Sequence, residues 1–308
     1  MTLNTPVAFF IFRRPDTTQR VFDVISAVKP RKLFLIADGP RNADEAALVA
    51  QTRAIFAHID WECDVRTNFA EVNLGLKVRV SSGLDWVFDQ VENAIILEDD
   101  CLPHPSFFPF CEWLLQHYRD DERVMHISGD YFHAPLRLPT DVYFSRYPYI
   151  WGWATWRRAW ARYDVKMKQW EDPSVRSAVL SRFQSRSVRR FWQHTFDKVA
   201  SGTLNTWDYQ WTFACLAHHG LAINPAVNLI TNIGFGADST NTIESANILA
   251  NLSVEPVRVP PRLPPSMVCT ESLDAQIEAL FFSRPSGFFF RQAVRKAMRV
   301  LAQTKLQR

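Results

Sequence analysis

Three short runs in the first hundred residues are almost wholly apolar, and each stops abruptly at charged or turn-forming residues. Residues 7–12 end at Arg13-Arg14-Pro15, residues 32–37 at Asp38-Gly39-Pro40, and residues 94–97 at Glu98-Asp99-Asp100. A strand with no polar side must be covered on both faces. Parallel sheets are built that way, with crossover helices supplying the cover. The stretches between the runs fit such helices. Residues 17–28 carry Val21, Phe22, Val24 and Ile25 behind Asp16 as a candidate cap, residues 45–59 follow, and residues 77–91 repeat Val80, Leu84, Val87 and Phe88 at helical intervals. Residues 63–69 and 124–128 read as further strands, and residues 106–118 as a helix capped by Ser106. The fold class expected is therefore α/β, a mostly parallel central sheet with helices on both faces. In such sheets ligands sit beyond the carboxyl ends of the strands, so the three polar loops are expected along one rim.

Composition narrows the chemistry. Glycine accounts for 10 of 308 residues, about 3% against a usual figure of about 7%. No G-x-G-x-x-G and no G-K-[ST] occurs, which argues against dinucleotide and P-loop sites that need close backbone approach to phosphate. H-E-x-x-H, C-x-x-C and G-x-S-x-G are absent too, removing the commonest zinc-peptidase, zinc-ribbon and α/β-hydrolase readings. Thirty-five basic residues against 32 acidic ones give a net charge of +3, too mild to argue for nucleic acid. The cysteines, Cys63, Cys101, Cys111, Cys215 and Cys269, are odd in number and scattered, a pattern that fits reduced thiols in the cytoplasm. No apolar run reaches the roughly 20 residues of a membrane span.

Beyond residue 128 the character changes. Residues 130–160 are dense in aromatics, 173–199 form an Arg-rich helical stretch, and 207–219 another helix. A polar, glycine-bearing loop at 232–242 follows a strand around Leu229. Residues 252–265 are Pro-rich, which suits an extended surface path. Residues 284–308 hold seven basic side chains and no acidic one, with Phe288, Phe289, Phe290, Val294, Met298 and Leu301 giving an apolar side. Such a tail suits either an anionic membrane surface or packing on its own domain.

Three adjacent carboxylates at the end of a buried strand repel one another unless a cation compensates. Hard oxygen ligands suit Mg2+ or Mn2+, which bind through one or two carboxylates and complete their shell with phosphate oxygens. Asn73-Leu74-Gly75-Leu76-Lys77 opens a helix, whose amino end with Lys77 and Arg79 suits phosphate.

The segment Ile95-Ile96-Leu97-Glu98-Asp99-Asp100-Cys101-Leu102-Pro103-His104-Pro105-Ser106-Phe107-Phe108 resembles the Glu-Asp-Asp segment of the N-acetylglucosaminyltransferase I family, glycosyltransferases of the GT-A fold. It also resembles bacterial nucleotide-diphospho-sugar transferases. The similarity extends more weakly over residues 6–242. It implies a GT-A catalytic domain at 1–250, with a nucleotide-binding half at about 1–128 and an acceptor half at about 129–250, followed by a Pro-rich linker and basic tail at 251–308. It further implies that Asp100 binds the metal, Asp99 faces the ribose and Glu98 reaches the donor sugar. Arg13 or Arg14 would contact the nucleotide, and Asp38 its base.

Inverting sugar transfer needs a base for the acceptor hydroxyl. Thr206-Trp207-Asp208-Tyr209-Gln210-Trp211 resembles the family's Trp-Asp-Asp-Trp element, which puts Asp208 at the position of that base. A variant capping box with Asn205 is the structural alternative, and Asp130 is the second candidate base. Tyr149-Ile150-Trp151-Gly152-Trp153 resembles the family's Gly-x-Gly-Trp stretch with Trp151 at the first glycine. Trp151, Trp153 and Trp156 are candidates to stack on acceptor sugars. The function expected is a metal-dependent, inverting glycosyltransferase acting with Mn2+ or Mg2+ on a nucleotide-diphosphate sugar. UDP-N-acetylglucosamine is the first donor implied, and the acceptor is a glycan or lipid-linked intermediate of polysaccharide biosynthesis. A cytoplasmic site of action, peripheral on the membrane through 284–308, goes with it. The alternatives are a sugar nucleotidyltransferase and a non-catalytic carbohydrate-binding protein.

Overall fold

A computed structural model describes residues 2–133, 138–234, 249 and 252–283. The first half runs β1 (Val7–Ile11), α1 (Pro15–Val28), β2 (Lys32–Ala37), α2 (Ala43–Ala54), β3 (Asp64–Phe69), α3 (Leu76–Phe88) and β4 (Asn93–Glu98). β1 pairs in parallel with β2 on one side and β4 on the other, and β3 adds in parallel to β2. Successive side chains of a strand point to opposite faces. Val7, Phe9 and Ile11 accordingly enter a core shared with Val21, Phe22 and Ile25 of α1. Ala8 and Phe10 enter another shared with Val80, Leu84, Val87 and Phe88 of α3. Both faces are dry, which is why these strands carry no polar alternation. β3 is the exception, because it forms the sheet edge and leaves Arg66 and Thr67 exposed.

The second half runs β5 (Cys101–Pro103), α4 (Phe107–His117), β6 (Val124–Ser128), β7 (Val142–Ser145), β8 (Trp153–Trp156), α5 (Arg157–Trp160), α6 (Pro173–Ser181), α7 (Arg186–Ala200), α8 (Asp208–Ala217), β9 (Leu221–Pro225), β10 (Ile230–Asn232) and α9 (Glu271–Ile277). The main sheet has the order β3-β2-β1-β4-β8-β6-β9-β7, and β5 and β10 form a separate antiparallel pair. β8 is antiparallel to both its neighbours and β7 is antiparallel to β9, while the other six strands share one direction. The α/β expectation with a mostly parallel sheet holds. Among the described residues no helix is long and apolar enough to cross a membrane, and all five cysteines are unpaired.

Several local expectations are corrected. Asp16 does not cap α1: Pro15 takes the first helical position, Arg14 stands at the cap position and makes no capping bond with its side chain, and Asp16 lies in the first turn, where its charge suits the helix dipole. Ser106 stands at the start of α4, but its hydroxyl is used elsewhere. It meets His104 Nδ1 at 2.9 Å and accepts the Val257 N–H at 3.1 Å. The stretch 173–199 is two helices, α6 and α7, broken at 182–185. The Pro-rich stretch 252–265 does run over the surface without helix or strand, as expected, but it and the residues that follow to 283 are tied to the sheet. Asp141 receives the Arg262 backbone and guanidinium, Thr270 donates to the Phe144 carbonyl, and α9 packs beside β7. The basic stretch 284–308 lies outside the described residues.

The aromatic segment hides two strands, β7 and β8, whose side chains are buried on both faces. Gly152, at φ +76°, turns the chain into β8, and a Cβ there would lie 2.5 Å from Ile230. This turn separates the fates of its two neighbours. Trp153 is only 1% exposed and stacks between His126 and Trp207, at centroid distances of 5.1 and 5.9 Å. Trp156 is equally enclosed, with its indole N–H on the Leu115 carbonyl. Neither reaches an acceptor, so both expectations are overturned, because β8 is an interior strand whose every side chain is consumed by packing. Trp153→Ala should therefore lower the unfolding free energy by about 3–5 kcal/mol, read by urea denaturation. An acceptor platform would have left stability unchanged.

Candidate active site

The strand order reverses between β1 and β4, since β1 leads outward through β2 to β3 and the chain then returns to β1's other side. Crevices form at such points because the connections leave the carboxyl ends on opposite faces. The loop after β1, Phe12-Arg13-Arg14, and the turn after β4, Asp99-Asp100, meet there. Phe10 is in register with Glu98, which fixes how far each loop projects.

Hydrogen bonds tie the two loops together. Asp99 Oδ2 accepts the Phe12 backbone N–H at 3.1 Å. Arg14 reaches Asp100 Oδ2 at 2.8 Å and Asp99 Oδ1 at 3.7 Å. Arg13, its neighbour, turns the other way, to 3.3 Å from Glu45 Oε1, a carboxylate also gripped by Arg41. The structure thus sends Arg14, and not Arg13, to the acidic turn. Burial, reinforced by Asp100, Asp99 and Asp208, pushes the Glu98 carboxyl up, and Arg14 offsets this only in part. Burial and Asp100 likewise push Asp99 up, against Arg14 and the Phe12 N–H. Three crowded carboxylates beside Arg14, two of them pushed up, form the electrostatic condition that either a proton or a divalent cation relieves. Among the described residues no three His, Cys, Asp or Glu side chains converge into a preformed metal cage.

The end of β10 presses onto the same turn. Ile233 N–H donates to the Asp100 carbonyl at 2.8 Å, and a Cβ on Gly234 would lie 2.2 Å from Asp100 Oδ2. Only glycine lets this backbone run past the carboxylate. Gly234 is the sequence signal for that contact. The remainder of the 232–242 loop, from 235, lies outside the described residues.

Asp38 has a different task from the one expected. It is 6% exposed, and its oxygens accept from Gly39 N, Leu74 N, Gly75 N and Asn73 Nδ2 at 2.8–3.1 Å. It locks the β3–α3 turn, with its lone pairs directed to the protein's own donors. Lys77 is half-buried in the first turn of α3, and Arg79 is buried against Asn68.

Asp130 is corrected as a base. It is fully buried, Oδ2 accepts the Trp151 N–H at 3.0 Å, and Oδ1 has no hydrogen-bond partner among the described residues. Burial pushes its carboxyl well above the usual range, and the side chain is closed off from solvent. Its role is to hold the backbone of Trp151.

Asp208 is the first residue of α8. The cap position belongs to Trp207, which makes no side-chain cap, so the expected capping box with Asn205 does not form. Thr206 Oγ1 donates to Asp208 Oδ1 instead. A helix amino end alone would lower this carboxyl, but burial outweighs the Thr206 and backbone N–H bonds and pushes it up, toward a stronger base. Asp208 lines a cavity of about 230 Å3 whose walls include Trp151, Tyr209, Thr212, Phe281 and Phe282. Its charge acts on Glu98, pushing that carboxyl up, while Glu98, Asp99 and Asp100 are not among the residues lining the cavity. Phe281 and Phe282 were not legible as site residues, because nothing in their local pattern shows where the chain returns.

No family model matches the sequence, and no curated protein matches it. Among solved structures, 4-diphosphocytidyl-2C-methyl-D-erythritol synthase from Anaerococcus prevotii aligns at 10% identity with a TM-score of 0.31, covering 51% of this chain and 74% of that one. UDP-glucose pyrophosphorylase complexed with UDP-glucose aligns at 10% identity and TM-score 0.33, covering 72% of this chain and 90% of the other. Its apo form aligns at 11% and 0.34, covering 71% and 90%. Overlaps this partial carry no functional argument, and the resemblance drawn from residues 95–108 stands on those residues alone.

The burial of Asp130 has a measurable consequence. A carboxyl raised on folding contributes stability below its unfolded pKa and loses it as pH rises toward the folded value. Asp130→Asn, close in shape and never charged, should flatten the fall in unfolding free energy between pH 5 and 8. A gain over the native chain of about 1–3 kcal/mol at pH 8 is the scale of a relieved buried polar defect. Parallel pH profiles of the two proteins would show Asp130 to be ordinary.

Proposed function

We propose that the protein is a divalent-metal-dependent, inverting glycosyltransferase that takes its sugar from a nucleoside-diphosphate donor. One observation carries the reading: the acidic turn stands at the β1/β4 switch point with Arg14 on it, and Asp208, near enough for its charge to act on Glu98, lines an aromatic cavity of its own. A donor's charged end and the proton to be removed would then lie on the two sides of the anomeric carbon. Asp100, the more exposed of the two aspartates on Arg14, would hold Mn2+ or Mg2+. When bound, such an ion neutralises the charge that develops on the departing diphosphate.

The chain's own residues supply the rest. Arg14 orients Asp100 and adds positive charge beside the leaving group. Asp99 stays anchored to the Phe12 N–H, which keeps the turn rigid for donor binding, with Glu98 behind it. Lys77, in the first turn of α3, would face the donor from the neighbouring rim. Asp208 accepts the proton of the acceptor hydroxyl as its oxygen bonds to the anomeric carbon. The bond from that carbon to the phosphate oxygen breaks, and the nucleoside diphosphate leaves with the electron pair. Burial favours proton uptake by Asp208, the property a base near neutral pH requires. Trp151 would present an aromatic face to the acceptor glycan or lipid-linked sugar. UDP-N-acetylglucosamine is the first donor to try, on the resemblance of residues 95–108.

The names of the structural neighbours suit a sugar nucleotidyltransferase instead. Against that reading, the β1–α1 connection is three residues, Phe12-Arg13-Arg14, without a glycine, and offers no loop to wrap a triphosphate. A lectin-like protein would have no use for crowded carboxylates.

A thermal-shift screen of nucleotide sugars with and without Mn2+ tests the proposal. UDP-N-acetylglucosamine or a related donor should raise Tm in a metal-dependent way, and both Asp100→Ala and EDTA should remove that part of the shift. Asp208→Asn should keep the shift while slowing nucleoside diphosphate release about 10²–10⁴-fold. Pyrophosphate turnover would assign a nucleotidyltransferase, and a shift retained in Asp100→Ala would refute the metal assignment.

A further inference from the structure

The cavity beside Asp208 is closed by a part of the chain that the family resemblance does not reach. Ile277, Phe281 and Phe282, from α9 and the π-helical turn Glu278–Phe282 behind it, line it together with Trp151 and Tyr209. This segment is fastened down. Asp274 Oδ1 accepts the Ser145 hydroxyl at 2.6 Å and Oδ2 the Arg146 Nε at 3.0 Å, in an ion pair whose side chains are 1% and 6% exposed. Arg146 also pairs with Glu271, and Tyr147 OH donates to Glu278 Oε1 at 2.8 Å. Burying an ion pair adds little net stability but penalises any other placement of the two partners. The clamp therefore fixes where the wall stands, through β7 and the residues just after it.

What the wall presents is chemically narrow. Phe282 packs edge and face against Trp192, Phe191 and Tyr147 at centroid distances of 4.9–5.3 Å, so its ring is held rigidly. Trp151 is set by Phe132 at 5.2 Å and by the bond from its N–H to Asp130. The result is a slot of about 230 Å3 with aromatic sides and one carboxylate, smaller than the roughly 300–1,000 Å3 of pockets for drug-sized ligands. Flat apolar sides with a few polar side chains among them, Asp208, Thr212 and Tyr209, match a single pyranose, whose C–H faces are apolar and whose edge carries hydroxyls. An alkyl chain would leave the carboxylate facing apolar groups, an unfavourable environment for it.

We propose that residues 277–282 are the specificity wall of the acceptor site, with Phe281 and Phe282 selecting one terminal sugar ring and the Arg146–Asp274 clamp acting as its positioning element. The inference rests on the reading of Asp208 as the acceptor-side base, yet it is testable without donor or metal. Saturation-transfer NMR with the full chain and a panel of methyl glycosides of common hexoses and N-acetylhexosamines should show binding with ring C–H protons as the contacted epitope. Phe282→Leu and Phe281→Leu keep most of the apolar bulk and lose the ring. Each should raise the Kd of the best glycoside about 3–10-fold, the size of one aromatic contact, with the metal-dependent donor shift unchanged. Asp274→Asn should shift the epitope as well as the affinity, an effect that loss of stability alone would not produce. Glycoside binding untouched by both Leu variants would overturn the proposal. So would a wild-type chain that binds none of the panel, or one that takes up octanol instead. Glycoside binding with the ring epitope in a chain that shows no donor shift would sink the transferase reading, and with it the acceptor role, and leave the wall as a sugar-binding surface only.

Discussion

Glu98, Asp99 and Asp100 crowd beside Arg14 in the crevice between β1 and β4, and most of the arrangement around the site follows from that crowding. Each carboxylate is there because a parallel strand buried on both faces must shed its charge at its end. Register with β1 places those ends beside Phe12 and Arg14. Arg14 balances part of the charge, and a backbone N–H from the β1 loop holds Asp99 still. The crowding that remains at Glu98, Asp99 and Asp100 is the feature on which the proposed cation and diphosphate binding rests.

The aromatic half shows how one residue type takes opposite roles on the two sides of a single turn. Trp153 enters β8 and is stacked among His126, Trp207 and Trp211, where His126 is itself satisfied by Tyr149, Ser128 and the Trp211 indole. Burial holds that histidine neutral, down to about 3. Trp151, two residues earlier, stays half-buried on the cavity wall. The difference is made by Gly152, whose positive φ carries the chain away from the surface just after Trp151.

Much of this was readable in the chain. The bounds of β2 and β6 were legible to the residue, because a strand dry on both faces leaves an unbroken apolar word between turn signals. The rim loops followed from the direction of those strands. The caps were not legible. Asp16, Ser106 and Asp208 each have the right residue type near a helix start, but what a side-chain oxygen bonds depends on neighbours distant in sequence, such as Val257 for Ser106. β7 and β8 were hidden by the same physics that revealed β2, since an aromatic run buried on all sides loses its period.

The sequence by itself determined that the chain is an α/β sheet with carboxylates and arginines on one rim, because apolar runs and their polar ends are local properties of the strand. Only the tertiary structure decided which of these groups meet. It separated Arg13 from Arg14 by rotating one toward Glu45 and the other toward Asp100. It turned Asp38 and Asp130 inward to hold backbone, and it returned residues 277–282 to line the cavity together with Trp151. Those outcomes depend on distances between residues far apart in the chain, which packing sets and no local pattern encodes.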